Sequence, residues 1–192
     1  LPTIEEVRDR YGLNFKEYAI ALLHPVTTED RQLQETHARI FVNSLIKSGK
    51  NYVIIYPNND AGSDVILTAY RKLDGLENIK IFPSIRFECF LVLLKNCSFI
   101  IGNSSAGIHE APVYGVPTLN LGTRQSNRFA HESIRNERFN EADILSAISA
   151  IEAGTRFPPS TYYGSGSSAL RFLDALQGIW DTSTQKQFVD IG

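Results

Sequence analysis

Residues 100–112 read Ile100-Ile101-Gly102-Asn103-Ser104-Ser105-Ala106-Gly107-Ile108-His109-Glu110-Ala111-Pro112. An apolar run ends in small residues and hydroxyls, which open a segment with apolar residues at helical spacing. The stretch predicts a buried strand, a turn and a helix start. At such a junction the backbone N–H groups and the positive helix end face outward from the strand's carboxyl end, where a phosphate fits. Ser104 and Ser105 can add hydroxyl donors, and Gly107 would let a ligand approach the backbone closely. The same residues also suit an ordinary helix cap by Asn103 or Ser105, so the segment alone leaves both readings open.

Outward from this junction, strand-length apolar runs alternate with amphipathic stretches of helix length. Strands are expected at 18–23, 52–56, 79–82, 98–101 and 118–121, and each stops at a turn such as His24-Pro25, Pro57-Asn58-Asn59 or Gly122-Thr123-Arg124. Helices are expected at 29–48, 61–74, 87–96, 106–114, 141–153 and 166–179. This alternation marks βαβ units around a parallel sheet, so the fold class is α/β, a Rossmann-like three-layer parallel sheet. Right-handed crossovers place all the strand carboxyl ends on one edge, where open α/β sheets bind ligands. The turns lack the GxGxxG pattern, which disfavours a nicotinamide cofactor, and no other cofactor is expected.

The chain has 192 residues, suited to one domain over 1–192, and its 43% hydrophobic and 21% charged content is ordinary for a globular domain. With 19 Lys and Arg against 21 acids there is no bulk positive field, so neither nucleic acid nor an anionic membrane surface is an expected partner. No apolar run reaches bilayer-spanning length, and the polar, helix-like amino terminus is unlike a signal peptide; a cytoplasmic location is expected. Cys89 and Cys97 lack ligand spacing and read as reduced core thiols, with no metal site. The chain begins at Leu1 and contains no methionine, from which a piece of a longer protein is expected.

Several side chains along the predicted edge could carry chemistry. Glu110, five residues after Ser105, has no capping-box spacing; it could accept the hydroxyls of a ribose, or be a solvated surface glutamate. Arg124, Gln125 and Arg128 place two guanidinium groups and an amide in one loop, and arginine forks pair well with oxyanions. His24 could donate to a phosphate or exchange a proton near neutral pH, or be structural. His37, His109 and His131 have no comparable placement. In the loop Asn58 to Ser63, Asn59 could contact a sugar or phosphate, but helix capping is the safer reading. Phe90 belongs by spacing to a helix core, although a ring at the edge could stack on a base. The turn Gly164 to Ser168 is either a second anion site or flexible surface. No paired carboxylates, nucleophile elbow or metal signature accompany these residues, which describe a phosphate binder more than a catalyst.

The run GNSSAGIHEAPVYGVPTLNLGTRQSNR, Gly102 to Arg128, closely resembles the signature of the hydrolysing UDP-N-acetylglucosamine 2-epimerases. LLHPVTTED (22–30), YPNNDAGS (56–63) and YYGSGSSA (162–169) are similar to further segments of that family, in the same order. The resemblance spans nearly the whole chain but only the family's carboxyl-terminal domain, one half of a glycosyltransferase-B type two-domain fold. It implies that Ser104 and Ser105 bind diphosphate, Glu110 the ribose and Phe90 the uracil, that Arg124 lines the phosphate and sugar cleft, and that His24 is the catalytic histidine; Gln125 and Arg128 lie within the motif. It further implies release of UDP and inversion at C2 of a UDP-sugar, in sialic or legionaminic acid biosynthesis. The acid and base carboxylates would come from an amino-terminal domain absent from this chain, so the chain alone is expected to be inactive, and the full-length enzyme is expected to be a homodimer. A transferase of the same fold, or a non-catalytic nucleotide-binding module, are the alternatives.

Overall fold

The computed structural model describes residues 1–179 and Gln185. The chain divides into two compact units, Leu1–Ser160 and Thr161–Gly192. Where the sequence reading takes 1–192 as a single domain, the sheet and its core lie wholly in the first unit.

In chain order, that unit holds α1 (Ile4–Tyr11), β1 (Ala19–Leu22), α2 (Arg31–Ser48), β2 (Tyr52–Ile55), α3 (Ser63–Tyr70), β3 (Ile79–Phe82), α4 (Phe87–Asn96), β4 (Ile100–Gly102), α5 (Ala106–His109), β5 (Thr118–Leu121), β6 (Ile134–Glu137) and α6 (Glu141–Ser149). Tight 3-10 turns at Arg71–Leu73 and Ala111–Tyr114 extend α3 and follow α5. The second unit contains α7 (Ser168–Ile179), along which Leu170, Phe172 and Leu173 are exposed.

The six strands run parallel in the order β3-β2-β1-β4-β5-β6. Chain direction across the sheet therefore reverses between β1 and β4, and the loops leaving these two strands diverge at their carboxyl ends. Five of the strands follow the expected apolar runs. The sixth, β6, was not anticipated: Ile134-Arg135-Asn136-Glu137 has no apolar run, because an edge strand pairs on one side only and most of its side chains meet water.

Alternating side chains of the strands feed two cores. Ala19, Ala21, Tyr52, Ile54, Ile101, Leu119 and Leu121 pack with α2, α3 and α6 residues such as Phe41, Leu45, Ile66 and Ile144. Ile20, Leu22, Val53 and Ile100 face the other way, into Val7 of α1 and Phe90, Leu93 and Leu94 of α4. Both sheet faces are covered, which is why the inner strands are apolar throughout rather than alternating. Cys89 and Cys97 are free and buried in the second core, and burial pushes the Cys97 thiol up to about 12.

The helix expected over 106–114 is broken. Pro112 has no N–H to offer the carbonyl four residues back and its ring crowds that carbonyl, so α5 stops at His109 and the chain continues as a 3-10 turn with Glu110 at the joint. Gly102 fixes where the preceding strand can lie. Its φ is +134°, and a Cβ there would sit 1.9 Å from the Leu22 carbonyl oxygen. Gly102→Ala is expected to destabilise the fold by roughly 3 kcal/mol or more, the scale of severe backbone strain, as read by chemical denaturation.

Candidate functional site

At the divergence of the β1 and β4 loops, one buried side chain joins the two strand ends. Asn103 is 1% exposed. Its Oδ1 accepts from the His24 backbone N–H (2.7 Å) and its Nδ2 donates to the His24 carbonyl (2.8 Å). The Asn103 backbone carbonyl then accepts from Arg124 (Nη1, 3.1 Å) and from Gln125 (Nε2, 2.9 Å) in the loop after β5. Three loops from separate strands thus meet on one residue. The expected cap by Asn103 does not occur, since its carboxamide is wholly engaged by His24; Ser105 holds the N-cap position of α5 without a side-chain cap bond.

His24 is half-buried, and its Nδ1 accepts from the Asn58 backbone N–H at 3.1 Å. That bond puts the ring proton of the neutral imidazole on Nε2. Burial lowers the His24 pKa below the ordinary imidazole value and the Arg124 charge lowers it further, while a contact with the Asn58 side chain and the Asp60 charge oppose both. Arg124 is likewise lowered, first by burial and then by Arg128, with Asp60 opposing. The Asn58 side chain donates to the Asp60 carboxylate. Capping of α3 by this loop is not observed: Gly62 takes the cap position with no side-chain bond, and Asn58 serves His24 instead. Asn59 is exposed beside them.

Beneath the His24-Pro25 turn, Gln34 Nε2 donates to the carbonyls of Val26 (3.2 Å) and Glu29 (2.9 Å), which holds the turn against α2. His37, without a role in the sequence reading, bonds Glu29 (Nδ1 to Oε2, 3.1 Å) and stacks on Phe139 with centroids 4.0 Å apart.

Ser104 and Ser105 are partly exposed at this edge, and Ser104 Oγ accepts from the Ala106 N–H at 3.3 Å. Gly107 packs closely against β5. A Cβ there would come within 2.7 Å of Thr118 Cγ2, and Thr118 Oγ1 donates to the Gly107 carbonyl at 2.9 Å, so its small size serves helix-to-strand packing. Glu110 is partly buried rather than solvated, and its Oε2 has no hydrogen-bond partner among the described residues; the buried Gln125 Oε1 is in the same condition. Orphaned buried acceptors are costly, and such groups mark places where a donor from outside the chain can be received.

Phe90 is 8% exposed and belongs to the core shared by α1 and α4, so the helix-core reading describes its ring in this conformation. The exposed ring at the start of α4 is that of Phe87, 61% exposed. Arg128 is exposed on the loop after β5. The Gly164–Ser168 turn belongs to the second unit; Gly164 and Gly166 have φ of 131° and 83°, and the Ser165 and Ser167 hydroxyls are 3.2 Å apart. Sequence reading placed Asn58 and Asp60 in a candidate loop but missed their link to His24, and it missed the role of Asn103. Their only signal was position at strand ends. Among the described residues no grouping of His, Cys, Asp and Glu is arranged to hold a metal ion, and no helix is long and apolar enough to cross a membrane.

A parallel sheet with polar loops gathered at its reversal point defines a Rossmann-like α/β domain. A family model described as UDP-N-acetylglucosamine 2-epimerase matches residues 1–177, and the chain belongs to that family. A UDP-N-acetylglucosamine 2-epimerase of Neisseria meningitidis serogroup B is 43% identical over 196 residues, covering 100% of this chain and 52% of its own length. A hydrolysing UDP-N,N'-diacetylbacillosamine 2-epimerase of Legionella pneumophila is 22% identical over 178 residues, covering 92% of this chain and 47% of its own length. The fold matches the crystal structure of Methanocaldococcus jannaschii UDP-GlcNAc 2-epimerase in complex with UDP-GlcNAc and UDP, with TM-score 0.66 and 20% identity over 91% of this chain and 49% of that one. The chain spans about half the length of these relatives.

The lowered His24 pKa has a definite sign for stability. The unfolded chain takes up the proton more readily, so this group favours the folded state above the ordinary imidazole value and that contribution is lost as the pH falls through the folded value. NMR titration is expected to place His24 below about 6.5. Arg124→Gln is expected to raise it in part, because burial is the larger cause.

Proposed function

We propose that this chain is the UDP-binding domain of a hydrolysing UDP-N-acetylglucosamine 2-epimerase that converts a UDP-sugar into UDP and an N-acetylmannosamine-type sugar. The observation that carries the reading is the convergence of His24, Ser104, Ser105 and Arg124 at the sheet's reversal point, in a chain whose family and most similar relatives are UDP-sugar epimerases. The relative described as hydrolysing supports that form of the reaction.

In this reading the diphosphate lies against Ser104 and Ser105, with the Arg124 guanidinium neutralising its charge. The two ribose hydroxyls donate to Glu110, whose buried oxygen is otherwise unpaired. The uracil lies near the start of α4, where the family resemblance places Phe90. Gln125, Arg128 and Asn59 complete the polar rim. His24, neutral and carrying its proton on Nε2, donates to a phosphate oxygen of the departing UDP.

Chemistry follows in two steps. A base removes the C2 proton while the C1–O bond breaks on the opposite face, giving UDP and a 2-acetamidoglycal. Water then adds across the double bond, its hydroxyl to C1 and a proton to C2 on the other face, which inverts C2. The proton-transferring carboxylates belong to the amino-terminal domain, which together with the UDP-sugar is this chain's partner. Closure of the two domains excludes water during elimination. The full-length enzyme is a cytoplasmic homodimer that supplies sialic or legionaminic acid synthesis, and this chain alone is inactive.

Calorimetric titration is expected to show UDP binding by the chain, with Glu110→Ala or Ser105→Ala weakening it about tenfold, the scale of one buried hydrogen bond to a charged group. A folded chain that binds no UDP would remove the site. For the full-length enzyme, UDP and a free 2-epimeric sugar are expected without any acceptor. Strict dependence on an acceptor would instead make it a transferase.

A further inference from the structure

The proposed reading uses His24 and Arg124 but leaves the best-buried polar residue of the site, Asn103, without a task. All four hydrogen-bonding functions of that residue described above point to the other site loops: the carboxamide grips both backbone groups of His24, and the carbonyl takes Arg124 and Gln125. Its own N–H donates to the Leu22 carbonyl at 3.1 Å, which keys it to the last residue of β1. A residue that only filled space or closed a turn would not need a carboxamide in this orientation. The His24 N–H and C=O are met by two separate atoms, Oδ1 and Nδ2, and the single oxygen of a shorter serine side chain does not occupy both positions.

We propose that Asn103 is the positioning residue of the site, holding the His24 imidazole and the Arg124 guanidinium in one fixed arrangement toward the diphosphate. The grip on the His24 backbone sets where the ring emerges from β1, so that Nδ1 reaches the Asn58 N–H and Nε2 is left to face the ligand edge. The carbonyl that anchors Arg124 is one peptide unit from the carboxamide that anchors His24. Any shift of one group is therefore shared by the other. The charged and titratable groups around the imidazole are Arg124 from the β5 loop, Asp60 from the β2 loop, and Glu29 with His37 lining the cavity beneath. Asn103 carries no charge, so its effect on His24 comes only from where it holds the ring among them.

This inference rests on the UDP reading for its purpose, but its test does not. In the 192-residue chain, Asn103→Ala is expected to release the ring from the Asn58 N–H and from its burial, so that the His24 titration moves up toward about 6.5 and the Asn58 amide exchanges faster. UDP affinity is expected to fall several-fold. Asn120→Ala is the control, because Asn120 is also a buried asparagine whose side chain bonds Asn136 rather than any site group; it is expected to leave the His24 titration in place. Asn103→Ser, whose shorter side chain with one polar atom replaces Oδ1 and Nδ2, is expected to lie between wild type and alanine.

An unmoved His24 titration in folded Asn103→Ala would overturn the inference, as would an equal shift in Asn120→Ala. If Asn103→Ala does not fold, Asn103→Ser is read the same way, and failure of both to fold makes Asn103 a residue of the fold and overturns the positioning role. Loss of UDP binding in the wild-type chain would count against the UDP reading alone, since the His24 and Asn58 measurements are made without ligand.

Discussion

Gly102 passes so close to the Leu22 carbonyl that no side chain fits between them. That contact brings the carboxyl ends of β1 and β4 together where the strand order reverses, and the arrangement of the polar edge follows from it. With the two strand ends in contact, the next residue of each chain segment, Asn103 and the His24 that follows Leu23, meet in a reciprocal pair of hydrogen bonds. Had β4 been displaced by the width of a methyl group, the carboxamide would reach neither His24 group at bonding distance. A backbone constraint at one glycine thereby becomes the geometry of a site built from three loops.

Burial then tunes what the geometry has assembled. The Arg124 charge disfavours a charged His24, and both groups lose solvent, so burial and the neighbouring guanidinium together favour the neutral imidazole. The support below it is apolar at Leu23, Val26, Ile66 and Phe139 and polar at Glu29 and at Gln34 and His37 of α2, whose bonds hold the turn. Glu110 and Gln125 each keep a buried acceptor without a partner among the described residues, a cost that the packing around them leaves in place.

Small residues at the same edge divide into two kinds of duty. Gly107 reads in the sequence as room for a ligand, yet both it and Gly102 have protein against them: Thr118 in one case and the Leu22 carbonyl in the other. Close packing of α5 on β5 in turn brings Glu110 to the joint with the 3-10 turn that Pro112 imposes. The partly buried carboxylate is thus a result of packing and helix breakage together.

The sequence by itself determined the architecture and the membership of the edge. Strand-length apolar runs ending in turns, with amphipathic stretches between them, are local properties, and they gave five parallel strands, the layering and the loops that carry His24, Ser104 and Arg124. Tertiary structure alone decided the rest. The strand β6 is invisible locally because an edge strand needs little apolar surface. The clamp on His24 joins residues 79 apart in the chain, and the bonds to Arg124 and Gln125 join residues 21 and 22 apart. No pattern in a linear window encodes such pairings, since they exist only once the sheet has set which strand ends lie side by side.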